Sequence, residues 1–165
     1  MTLEMKARTI DQKLHRNTLG ACLMAADRDQ VLSAANIASQ RFQVTPLQPA
    51  ESGLALMQWR DSVMHQPFYL GEVPIARAAI VITDAQGQRC EGGATVMADD
   101  AELAQALAVL DAVWTYRLPG AETVDALAES GAQARARLRA ERQAVLKRTR
   151  VDFALLSQAD EEDHQ

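Results

Sequence analysis

The run Pro67-Phe68-Tyr69-Leu70-Gly71-Glu72-Val73-Pro74-Ile75-Ala76-Arg77-Ala78-Ala79-Ile80-Val81-Ile82 constrains the fold more than any other stretch of the chain. It reads as extended backbone, either one long bent strand or two short ones over Phe68 to Ile82. Gly71, Glu72 and Arg77 stand where a plain core strand would carry apolar residues. A glycine inside a strand pattern marks a bulge or a close backbone approach. Pro74 cannot donate a ladder hydrogen bond, which confines it to an edge, a bulge or a strand start. Glu72 and Arg77 lie five apart and face opposite sides of an unbroken strand. A bulge at Gly71 would change that register and could bring them to one face.

The rest of the pattern builds around this run. Thr9 to Ala26 places Ile10, Leu14, Leu19, Cys22 and Leu23 near helical spacing, and Asp27 to Ser39 predicts a second helix through Val31, Leu32, Ala35 and Ile37. Phe42 to Thr45 is a short strand, and Pro46 and Pro49 mark a turn after it. Leu54 to Arg60 is apolar on both faces, which predicts a central or covered strand. Asp61 to Gln66 is a loop. Asp84 to Gln88 is a hairpin turn in which Gly87 can take positive φ, and Arg89 to Met97 pairs back. Asp99 is placed to cap the next helix, with Glu102 three residues on. Leu103, Leu107, Leu110 and Trp114 form its apolar stripe, and Pro119-Gly120 ends it. Residues 122–148 are helical, with an interruption expected near Ser130-Gly131. Residues 151–156 resemble an added strand, and residues 158–165 an acidic, disordered tail.

The expectation is therefore an α+β fold: an antiparallel sheet of about four to five strands flanked by N-terminal and C-terminal helices. One domain spans 1–157, with helices in 9–39, strands in 42–97, helices in 99–148 and the strand-like segment 151–156. A length of 165 residues with 48% apolar content supports one sizeable core. No apolar run reaches bilayer length, and Met1 to Lys6 lacks the apolar centre of a secretory signal. Cys22 and Cys90 show neither metal nor redox spacing, which fits buried thiols in a reducing, cytoplasmic setting.

Charge is unevenly distributed. Residues 131–150 carry seven basic residues and one acid, whereas residues 84–130 carry nine acids and two arginines. The basic segment has no aromatic residue to stack on a base, and the whole chain is acidic at −5, so a nucleic-acid surface is disfavoured. A basic helix facing an acidic surface of the chain or of a partner fits better. The sparse apolar residues of 122–148 suggest packing on another subunit.

Catalytic constellations are scarce. His15, His65 and His164 have no second ligand at metal spacing, so a metal site is not expected. No phosphate-cradling glycine motif is present, and Ser52 and Ser62 have no adjacent histidine base. For an anionic ligand such as phosphate, Arg77 and Arg60 are the best candidates, because guanidinium forks match such oxygens. A carboxylate partner is the competing reading for each, Glu72 for Arg77 among them. Glu72 could serve as a base or meet a ribose hydroxyl. Asp111 and Asp152, the latter beside Phe153, are interface candidates. Trp59, Trp114 and Phe68 read as core rather than as binding platforms.

Four segments resemble the PhnG subunit family of bacterial carbon–phosphorus lyase. Phe68-Tyr69-Leu70-Gly71-Glu72-Val73-Pro74-Ile75-Ala76-Arg77-Ala78 is similar to the family's Phe-Asn-Leu-Gly-Glu-x-x-x-Thr-Arg-Ala. Glu51-Ser52-Gly53-Leu54 with Arg60, Asp100 with Leu110-Asp111-Ala112, and Arg150-Val151-Asp152-Phe153 follow its other signatures in order. The sequence departs at Tyr69 and Ala76, at Ala98-Asp99 where the family often has Gly-Arg, and at Asp61 to Gln66 in place of a glycine-rich loop. The resemblance implies a subunit assembled with H, I and J subunits, with L as accessory. Together such proteins displace adenine from ATP by a phosphonate, giving ribose 1-phosphonate 5-triphosphate. It implies no cofactor on this chain alone, ATP and Mg²⁺ for the complex, and an iron–sulfur cluster on the J partner. No nucleic acid and no membrane are expected as partners. The alternative is a non-catalytic α+β scaffold or adaptor of an unrelated complex.

Overall fold

The computed structural model describes residues 15–84 and 86–148. Among them, two helices, three strands and two more helices follow in order: α1 (Arg16–Leu23), α2 (Arg28–Arg41), β1 (Gln43–Arg60), β2 (Pro67–Thr83), β3 (Arg89–Val96), α3 (Ala101–Thr115) and α4 (Ala121–Arg148). The strands form one antiparallel sheet in the order β1-β2-β3. The α+β class stands, with three strands among the described residues instead of four to five.

The difference in strand number has a physical cause. Pro46 and Pro49 do not end a strand: β1 runs through them, with register shifts between Pro46 and Gln48 and between Gln48 and Glu51. β1 is an edge strand, so prolines without N–H groups remove few ladder bonds, and bulges absorb the misfit. The expected short strand and covered strand are thus one edge strand. Pro74 sits just beyond the end of β3, which pairs with β2 only from Ala76 onward, so there β2 has a single neighbour. The turn before β3 matches expectation: Asp84 Oδ1 accepts from the amides of Gln86 and Gln88, and Gly87 adopts φ +79°.

The core lies between the sheet and α3. Ala76, Ala78, Ile80 and Ile82 of β2 and Cys90 and Val96 of β3 are buried. Ten of the fifteen residues of α3 are buried, which exceeds one stripe and makes α3 the central helix, covered by sheet and helices together. Small residues set the spacing. A Cβ on Gly92 would run into the Ala108 carbonyl and lie 2.8 Å from the Ala112 Cβ, so only glycine lets α3 approach β3 this closely. Gly131 plays the same part between α4 and α1, where a Cβ would collide with the Cys22 carbonyl. The interruption expected at Ser130-Gly131 is therefore absent. The glycine serves helix–helix contact, and α4 continues unbroken to Arg148.

Two further details differ from expectation. The cap of α3 is Asp100, not Asp99, and its Oδ1 accepts from the Leu103 amide at 2.9 Å. Trp59 and Phe68 are not core: they are 58% and 44% exposed. Trp114 is buried as expected, its indole N–H donating to Asp125 at 2.6 Å. Cys22 and Cys90 are buried free thiols. Residues 9–14, the strand-like segment 151–156 and the tail 158–165 lie outside the described residues.

Asp100 also ties α3 to α2. Arg28 donates to Asp100 and to Glu102, at 2.8 Å and 2.9 Å. The Arg28 guanidinium, helped by the Leu103 amide, holds the Asp100 carboxyl below its ordinary value of 3.8. A depressed carboxylate contributes stability that is complete above the unfolded-state value and is lost as pH falls through the folded one. Asp100→Asn keeps a capping side chain but removes the charge. Urea unfolding between about pH 5 and about pH 2 should therefore show a shallower acid loss of stability in the variant than in the parent. Equal slopes would remove Asp100 from the acid response.

Candidate functional site

A two-stranded arm projects from the sheet. β1 and β2 stay paired from Glu51 and Arg77 out to Arg60 and Pro67, past the end of β3, so nothing among the described residues covers either face. The tip is held by Asp61, whose two oxygens accept from the Val63 and Met64 amides at 3.1 Å and 2.9 Å, while His65 takes φ +55°. Those amides keep the Asp61 carboxyl below the usual carboxylate range. A side chain thereby closes the loop where a glycine-rich sequence is absent.

Strand pairing sorts the arm's residues into two faces. Leu56 pairs with Glu72, Gln58 with Tyr69 and Arg60 with Pro67; this face holds Leu54, Leu56, Arg60, Tyr69 and Glu72. The other face holds Glu51 opposite Arg77, Ala55 opposite Val73, and Trp59 opposite Phe68. A bulge does occur beside Gly71, which has φ +140°: Met57 pairs with Gly71 and Gln58 with Tyr69, leaving Leu70 as the extra residue. It lies before Glu72, however, so the stretch from Glu72 to Arg77 is unbroken and the two side chains keep opposite faces.

Arg77 pairs instead with its cross-strand neighbour. Its Nε and Nη2 each lie 2.7 Å from Glu51 Oε1, which also accepts from Gln48 Nε2 at 2.9 Å. Arg77 and Gln48 together hold the Glu51 carboxyl below its ordinary range. The sequence pattern did not single out Glu51 for this pairing; the register of an exposed edge strand, set by two bulges, decides it. Arg60 and Glu72 share a face but not a site: they lie four strand positions apart, about 13 Å along the strand. Neither has an ion-pair partner among the described residues. Of the three candidates, Arg77 is thus closed in an ion pair with Glu51, and Arg60 and Glu72 stand apart with no ion pair among the described residues.

Asp111 lies elsewhere, at the free edge of β3. Arg16 of α1 grips it with Nε and Nη2 at 2.9 Å and 2.7 Å, and the Gly93 amide donates to Oδ2 at 3.1 Å. Its side chain is only 13% exposed. Beside this cluster a cavity of about 480 Å³ opens between α1 and β3, lined by Leu19, Leu23, Thr95, Met97 and Leu107 among others. Sequence reading placed Asp111 on a polar helix side but missed Arg16, because a contact across 95 residues leaves no periodic trace. Asp152 and Phe153 lie outside the described residues.

No grouping of three or more His, Cys, Asp or Glu able to hold a metal occurs among the described residues. No described helix is long and apolar enough to cross a membrane. The arm exposes Leu54, Leu56, Trp59, Tyr69 and Leu70, each more than half exposed, an apolar surface of the kind that marks a protein contact. Compared with known proteins, the chain matches the family model described as phosphonate metabolism protein PhnG over residues 14–158. No curated protein matches it.

Proposed function

Because the chain belongs to the PhnG family of phosphonate metabolism proteins, we propose that it is a subunit of the carbon–phosphorus lyase core complex. It acts in the cytoplasm with H, I and J subunits and L as accessory. There it supports displacement of adenine from ATP by a phosphonate, giving ribose 1-phosphonate 5-triphosphate. ATP brings Mg²⁺ through its phosphates, and the iron–sulfur cluster of later C–P cleavage sits on the J partner. The observation that carries this reading is the arm: a hairpin with large apolar residues exposed on both faces is costly in water and stable only when covered.

Within the complex, Arg60 is the residue of this chain best placed to meet a phosphate or phosphonate oxygen. It stands at the arm's end with no ion-pair partner among the described residues. A purely architectural role is the second reading, favoured by the separation of Arg60, Glu72 and Arg77. One experiment separates them. The tagged chain is co-expressed with the H, I and J subunits of its own genome, and adenine release from ATP and a phosphonate is measured with L added. Arg60→Ala should co-elute with its partners yet release adenine about 10-fold to 100-fold more slowly. Unchanged release from an intact complex would leave only the architectural role. A parent chain that elutes alone would remove the core-complex reading altogether.

A further inference from the structure

The two outer edges of the arm are built differently. Beyond the end of β3, the edge of β2 carries Pro67, the extra residue Leu70 beside Gly71, Glu72 and Pro74. Prolines, bulges and charges are the devices that keep a strand edge from pairing with another chain. The edge of β1 has none of them over Ser52-Gly53-Leu54-Ala55-Leu56-Met57-Gln58-Trp59, and no strand pairs with it among the described residues. The alternation of ladder bonds fixes which amides it offers. The Gly93 amide donates to Asp111, so it points away from β2. Gly93 stands opposite Ala79, and Arg77 opposite Glu51. The alternation then turns the amides of Glu51, Gly53, Ala55 and Met57 toward β2, and those of Ser52, Leu54, Leu56 and Gln58 outward. Pro74 agrees with this order: it stands opposite Leu54, where no amide is needed between the two strands.

We propose that a second copy of this chain pairs along this edge, β1 antiparallel to β1 about a two-fold axis at Leu56, giving a continuous four-stranded arm in the order β2-β1-β1-β2. The edge is self-complementary in that register. Leu56 meets Leu56 of the second copy, Leu54 meets Gln58, and Ser52 meets Arg60. All of these turn their amides outward, which gives about ten backbone hydrogen bonds across the axis. On the opposite face Gly53 of each copy meets Trp59 of the other in the closer, non-hydrogen-bonded kind of pair. Nothing lies within 4 Å of where a Gly53 side chain would begin, and Trp59 is widely exposed, so each indole has room to cover the other copy's glycine. Charges match as well: each end of the paired stretch brings Glu51 of one copy near Arg60 of the other, with no like pair opposed. Two added strands also relieve the marginal stability of a two-stranded ribbon. The pairing goes beyond the assembly proposed above and does not depend on it.

The test uses the full chain by itself. Sedimentation at rising concentration should show a dimer. Leu56→Pro removes an outward amide at the axis and should dimerise at least about 100-fold more weakly. Leu56→Lys, at a side chain 62% exposed, should do the same by setting two charges against each other, and it serves if the proline disturbs the hairpin. The register has its own readout. Leu56→Cys should be joined copy to copy by a short bifunctional thiol reagent. Gln58→Cys should not, because its two copies stand four positions apart, about 13 Å along the strand; Cys22 and Cys90 are buried. The inference is overturned by a parent chain that stays monomeric up to about 0.1 mM, by a dimer that Leu56→Lys leaves intact, or by joining at Gln58→Cys in place of Leu56→Cys. Slow hydrogen exchange at Leu54 and Leu56 in a monomer would overturn it in favour of a segment of the same chain. Slow exchange only with H, I and J present would overturn it in favour of a strand from another subunit. Co-elution with those subunits is a separate measurement, so the core-complex reading stands or falls apart from this one.

Discussion

Replacing Gly92 with valine should lower the melting temperature of the chain by roughly 8–16 °C, corresponding to about 4 kcal/mol. The new side chain has no room: its Cβ would meet the Ala108 carbonyl and the Ala112 backbone and side chain. α3 cannot yield locally, because it is buried on most of its surface between the sheet and the other helices. Moving it off β3 would open gaps beneath Ala104, Ala108 and Ala112, all wholly buried, and a core loses dispersion contacts steeply with small gaps. Gly93 is the control. A Cβ there meets only the Ala78 carbonyl, at 3.8 Å, so Gly93→Ala should melt within about 2 °C of the parent. Thermal unfolding followed by circular dichroism gives the answer. A Gly92→Val chain melting beside the Gly93→Ala control would show that the α3–sheet spacing is not tightly determined.

The second large effect is expected on assembly. Trp59 and Phe68 face each other across the arm near its tip, where a buried aromatic pair would anchor an interface. Changing both to Ala should weaken binding to the proposed H, I and J partners by about 3–5 kcal/mol, roughly 150-fold to 5,000-fold. The fold should be little affected, since both rings are exposed in the isolated chain. Affinity chromatography of the co-expressed subunits, paired with a melting curve of the variant alone, separates the two effects. A doubly substituted chain that still co-elutes stoichiometrically would mean that the arm's aromatic face is not the contact. Leu54 and Leu56 on the opposite face would then be the next residues to change.

The legibility of this protein in its sequence follows the range of the forces involved. Local signals were readable: the Gly87 turn, the break at Pro119-Gly120, the apolar rows of α3 and the bulge beside Gly71. Each depends on backbone conformation or on neighbours within a few residues. Where proximity was at issue, the pattern misled. Trp59 and Phe68 carry the composition of core residues, yet they project from an arm that β3 is too short to cover. Ser130-Gly131 looks like a helix break, yet Gly131 is where α1 and α4 touch.

The candidate charges show the same division. That Arg60, Glu72, Arg77 and Asp111 stand out as polar groups amid apolar patterns follows from the sequence alone. Their partners do not. Arg77 meets Glu51 because two bulges in an edge strand set the register, and Asp111 meets Arg16 because α1 packs against α3 and α4. The amino-acid sequence by itself determined the class of fold, the order of its elements and, through the resemblance its motifs carry, the family. Only the tertiary structure decided which apolar residues are inside and which charges are already satisfied. Burial and pairing depend on contacts between segments far apart in the chain, and those are set by packing and register, to which local pattern is blind.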